Sequence, residues 1–114
     1  MEIITEKIPL SRLQEMAVNM FGNLVKAVID VKKEIIAIDG ELHSDEEALL
    51  LETGSNQKDL WGINIYPMLP AEERIEFDSM INLRPSQNNR TRGIDDPKIR
   101  SKITEIVNKL IEEK

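Results

Sequence analysis

The run from Arg74 to Arg84 constrains the fold most. Ile75, Phe77, Ser79, Ile81 and Leu83 alternate without a break against Glu76, Asp78, Met80, Asn82 and Arg84. A two-residue period belongs to an extended strand, whose side chains point alternately to opposite faces. Such a strand must bury its apolar face in a sheet, so a strand is expected over 74–83, with a polar face carrying Glu76, Asp78, Asn82 and Arg84.

Other segments supply partners for it. Leu60 to Tyr66 alternates as well, placing Trp61, Ile63 and Ile65 on one face and Gly62, Asn64 and Tyr66 on the other. Leu24–Val31 and Glu34–Asp39 read as strands separated by Lys32-Lys33, which suggests a hairpin, although tight turns prefer glycine or asparagine. Residues 2–7 fit a short edge strand.

Helical spacing appears three times. Leu10, Leu13, Ala17, Met20 and Phe21 predict a helix over 10–21, with Pro9 at its start and Gly22 at its stop. Ser44-Asp45-Glu46-Glu47 has the Ser-x-x-Glu capping pattern and predicts a helix from about Asp45 to Thr53. Asp96-Pro97 opens the last helix, as N-cap and first residue. Its apolar stripe of Ile99, Ile103, Ile106, Val107, Leu110 and Ile111 runs to the end of the chain.

The expected fold is α+β in the order (β)-α-β-β-α-β-β-α: a mainly antiparallel sheet of four to five strands with helices packed on one face. At 114 residues, 1–114 is expected to form a single domain. Hydrophobic residues at 40% and charged residues at 32% fit neither a disordered nor a membrane-spanning chain. The N-terminus has no leader-like apolar stretch, which makes a cytoplasmic location the expectation.

Several stretches resemble a known family. They are Met20-Phe21-Gly22-Asn23-Leu24-Val25-Lys26-Ala27-Val28, Ile38-Asp39-Gly40-Glu41-Leu42-His43, Leu60-Trp61-Gly62-Ile63-Asn64-Ile65-Tyr66-Pro67 and Phe77-Asp78-Ser79-Met80-Ile81-Asn82-Leu83-Arg84-Pro85-Ser86. The chain looks like a family of small uncharacterised proteins from archaea and bacteria, catalogued as a domain of unknown function. The resemblance spans nearly the whole chain and implies a prokaryotic cytoplasmic protein complete at this length. It implies no activity, cofactor or catalytic residue.

Charge and composition narrow the chemistry. The net charge of −6 disfavours broad nucleic-acid binding, which depends on releasing counterions from phosphates. With no cysteine, thiolate sites and cysteine nucleophiles are ruled out. Charge is uneven: Arg84 to Arg100 holds five basic and two acidic residues, a balance of +3. Glu41 to Asp59 holds six acidic and one basic, a balance of −5.

The basic segment gives the leading candidate site. Arg84, Arg90 and Arg92, with Asn82, Gln87 and Asn88, surround an aperiodic loop that ends at Gly93 and the start of the last helix. Arginine forks and free helix-start amides suit a phosphate or carboxylate, so a small anionic or polar ligand is the expected partner. Asp95 and Asp96 compete for that helix start, and the plain alternative is a polar loop whose arginines pair with Asp95, Glu76 or Asp78.

Two further readings stand beside it. Glu76 and Asp78, with His43, would be the acids and base of a metal-assisted hydrolase or phosphotransferase. The plain alternative is the ordinary solvent face of an antiparallel sheet. One histidine and no cysteine do not make a zinc site, so no metal residues are assigned. Trp61 is expected in the core. The third reading is an interaction protein, such as a homodimer joined through the last helix's stripe or an unpaired strand edge. No membrane partner and no cofactor is indicated, and the sequence leaves catalysis undecided.

Overall fold

The computed structural model describes residues 1–113. Its strands and α-helices follow the chain as β1 (Glu2–Ile4), β2 (Ile8–Pro9), α1 (Leu10–Asn19), β3 (Val25–Asp30), β4 (Ile35–Ile38), α2 (His43–Glu52), β5 (Leu60–Ile65), β6 (Ile75–Glu76), α3 (Pro97–Leu110) and β7 (Ile111–Glu112). Five strands form one antiparallel sheet in the order β1-β4-β3-β5-β6. The short β2 and β7 pair in parallel beside it.

The register sorts side chains between two faces. Ala27 of β3 lies opposite Ile38 of β4 and Ile63 of β5; Ile29 lies opposite Ile36 and Trp61. That face packs against Leu10, Leu13 and Ala17 of α1 and Ile103, Ile106, Val107 and Leu110 of α3. On the other face Val28, Ala37 and Leu60 meet Leu50 of α2. The expected α+β class and antiparallel sheet are therefore present, but the helices divide between both faces. The cause lies in the strands: Val28, Ala37 and Leu60 give the second face an apolar strip that needs a cover. The stripe of α3 is buried in the core, so it is not a free contact surface.

Local chemistry explains the turns. Between β3 and β4 the loop is four residues, Val31 to Glu34, rather than two. Asp30 Oδ1 accepts the backbone N–H groups of Lys32 and Lys33, both at 2.9 Å. Glu34 takes the left-handed position with φ 57°. Helix α1 stops two residues earlier than expected, and Gly22, at φ 95°, receives the chain as the sequence suggests. Asp96 caps α3 by accepting Lys98 N–H at 2.8 Å, with Pro97 following. Ile111 leaves the helix to pair with Ile8, while its side chain stays in the core.

Two expectations fail. The strand over 74–83 survives only as β6; the chain then folds across the second face of the sheet into a 3-10 turn at Met80–Asn82. Gly62 permits this, since a Cβ there would lie 2.6 Å from Ser79 Cβ. The Ser79 hydroxyl accepts Ile81 N–H at 3.2 Å and starts the turn. The capping box at Ser44 does not form either. Helix α2 begins two residues earlier, at His43, with Leu42 at the N-cap and no side chain capping it. The His43 ring bonds the Ile63 carbonyl at 2.7 Å and ties the first turn to β5.

Candidate functional site

The loop after β6 is built around two buried asparagines. Asn82 Oδ1 accepts Gly62 N–H at 2.8 Å, and its Nδ2 donates to Gly62 O at 2.9 Å and Arg92 O at 3.0 Å. Asn89 Nδ2 donates to the carbonyls of Asn82, Thr91 and Gly93, and its Oδ1 accepts Asp95 N–H. Buried backbone groups must be paired, and here two side-chain amides replace a strand ladder. Asn82 is thus an internal strut. Asn89 is a second strut, which the sequence analysis does not single out.

Arg84 is also turned inward. Its guanidinium donates to the carbonyls of Gln57 and Leu60 and stacks over Trp61, 4.2 Å from the ring centroid. Desolvation pushes its pKa down. Gln87 accepts from Arg84 and donates to Lys58 O. Asn88 ends the 3-10 turn Pro85–Gln87 in the left-handed region at φ 61° and is exposed. Trp61 is buried in the core, as expected. Arg90 is exposed, and among the described residues its guanidinium has no hydrogen-bond partner. Asp95 binds Arg90 N–H and the Thr91 hydroxyl, and Asp96 fills the helix start, so the competing role of these acids is realised.

The polar strand face is partly assembled. Asn64 and Glu76 are register partners, and Glu76 Oε1 accepts from Asn64 Nδ2 at 2.8 Å and Tyr66 OH at 3.0 Å. Asp78 instead pairs with Arg92, at 2.8 Å to Nε. Each carboxylate thus has a donor of its own. Among the described residues no three histidine, cysteine, aspartate or glutamate side chains gather to hold a metal ion.

Arg92 leads to a cleft that the sequence reading did not anticipate. A cleft of about 170 Å³ lies between the start of α2 and the 79–81 turn, where Lys26, His43, Ser44, Ser79 and Arg92 stand among the apolar Leu42, Met80 and Ile81. Lys26 projects from the central strand β3 with its ammonium over the Phe21 ring, 5.1 Å from the centroid, and among the described residues no carboxylate lies within ion-pair distance of it. A lysine between Val25 and Val28 in a buried strand was the available signal.

A carbonyl only accepts, so His43 Nε2 carries the proton shared with Ile63 O, and Nδ1 keeps its lone pair. Burial is the main force holding the imidazole pKa below its ordinary value. The Ile63 bond and Asp78 oppose it, while Lys26 and Arg92 reinforce it. Deeper under α2, Glu46 is fully buried, with Oε2 accepting Gly40 N–H at 2.9 Å. Desolvation pushes its pKa up to about 9, so it is neutral at pH 7 and adds no negative charge beside the cleft.

The fold and this cleft define a small α+β domain whose central sheet carries a cleft at a helix start. The chain belongs to the family DUF5674, described as a protein of unknown function, whose family model matches residues 2–110. No curated protein and no solved structure matches it. No helix among the described residues is long and apolar enough to cross a membrane.

Proposed function

We propose that the protein binds a small anion, a phosphate or carboxylate group, in the cleft between Lys26, His43, Ser44 and Arg92. The observation that carries this reading is the half-buried Lys26, whose ammonium meets the Phe21 ring but no acid, lining the same cleft as Arg92 and the uncapped start of α2. Helix-start N–H groups and the positive end of the helix dipole favour an anion, and two cations add charge-assisted bonds worth about 1.5–3 kcal/mol each. Asp78 neutralises part of the Arg92 charge, and an anion would share that guanidinium or displace the carboxylate. The ligand class is the one expected from the arginine loop. The site differs: Arg92 belongs to it, whereas Arg84, Asn82 and Gln87 support the loop from within.

The test is a titration of isotope-labelled protein with inorganic phosphate, followed by NMR. Amide shifts should centre on His43, Ser44 and Met80. Lys26→Met and Arg92→Gln should each weaken binding about tenfold, equivalent to about 1.4 kcal/mol, and Arg90→Ala should leave it unchanged. Binding lost in Arg90→Ala but kept in Lys26→Met would move the site to the loop tip.

A further inference from the structure

On the other side of α2 lies a second cleft, shallower and larger, of about 400 Å³. Its apolar floor is Met1, Met20, Ala48 and Leu49, and its rim carries Asp39, Glu41, Asp45 and Glu52. Among the described residues none of these four carboxylates takes part in an ion pair. Helix α2 is patterned against the usual rule. Glu46 faces the sheet, fully buried, while on the cleft side Ala48 is exposed and Leu49 only half-buried. A helix with apolar residues on its outer side as well is patterned to be covered there.

We propose that this cleft docks a basic amphipathic segment of a partner protein, its lysine or arginine side chains on Asp39, Glu41, Asp45 and Glu52 and its apolar side chains on Met20, Ala48 and Leu49. Charge selects the occupant. An acidic rim on a chain of net charge −6 repels anionic lipid and the same face of a second copy, and attracts a cationic segment. The apolar floor separates such a partner from a simple polycation, because it rewards burial of leucine-like side chains.

The test uses the full chain and a synthetic amphipathic lysine/leucine peptide of about four helical turns. In an NMR titration the peptide should shift the amides of Gly40, Ala48, Leu49 and Glu52, and added salt should weaken it. Asp45→Asn/Glu52→Gln and, separately, Ala48→Lys should each cost at least about tenfold in affinity, or about 1.4 kcal/mol. Glu72→Gln/Glu73→Gln should have no effect. The proposal is overturned if a lysine/serine peptide of equal charge binds as tightly, if the Glu72/Glu73 variant loses as much, or if no shifts appear. It is also overturned if sedimentation shows the protein alone self-associating through this face, or if neutral lipid vesicles bind there, with Ala48→Lys abolishing either.

Discussion

The side-chain amide of Asn82 bonds both backbone groups of Gly62, accepting its N–H at 2.8 Å and donating to its carbonyl at 2.9 Å. Strand β6 stops after pairing with Asn64 and Ile65, and Asn82 stands in for the strand that would otherwise have satisfied the next stretch of β5. One residue therefore joins the loop to the sheet and holds the 79–81 wall of the Lys26 cleft in place.

Replacing Asn82 by alanine should leave both Gly62 backbone groups buried and unpaired and cost about 2–6 kcal/mol, given about 1–3 kcal/mol for each unsatisfied group. Gly62→Ala should destabilise by a similar amount, because its new methyl group would overlap Ser79, and overpacking costs about 1–3 kcal/mol. Urea denaturation of each variant measures both losses.

Glu46 should make stability depend on alkaline pH. Its pKa is about 9 in the fold, against an ordinary glutamate value of 4.5. A group raised on folding stabilises fully below its unfolded pKa, and that contribution is lost as pH rises through the folded value. Unfolding free energy should therefore fall between about pH 4.5 and 9, at no more than about 1.4 kcal/mol per pH unit. Glu46→Gln, which retains an acceptor for Gly40 N–H, should flatten the slope. An unchanged slope would show that Glu46 keeps its ordinary acidity.

His43 should act in the opposite direction. Burial depresses its pKa, so its contribution is present above the ordinary value near 6.5 and is lost as pH falls through the folded pKa. It is the chain's only histidine, so its ring protons give one unambiguous NMR titration. The midpoint should lie below 6.5 in phosphate-free buffer and rise with phosphate, since a bound anion favours imidazolium. A midpoint indifferent to phosphate would count against the anion site.

Arg84→Lys should cost about 1–3 kcal/mol in thermal or chemical unfolding. Lysine cannot bond the Gln57 and Leu60 carbonyls with a planar fork while stacking on Trp61. Arg90→Ala should stay within about 0.5 kcal/mol of the parent, as for most exposed positions. Equal losses would mean that Arg84 is not part of the framework.

By itself the sequence determined the elements whose signals are local. Asp96-Pro97 starts α3 because a cap and a fixed φ act within one turn, and Gly22 receives α1 because the left-handed position suits glycine. The alternation of Trp61, Ile63 and Ile65 set the inner face of β5 for the same reason. Tertiary structure alone decided the rest. Alternation over 74–84 is compatible with a strand, yet the side-chain-free surface at Gly62 and the amide of Asn82 draw the chain out of the sheet after Glu76. The Ser44 capping pattern yields to the bond between His43 and Ile63, a residue twenty positions away. Lys26, His43 and Arg92 come from three separated segments, and only the packing of α2 against the sheet makes them neighbours. A linear pattern records what a residue prefers locally; it does not record which distant backbone group will satisfy it.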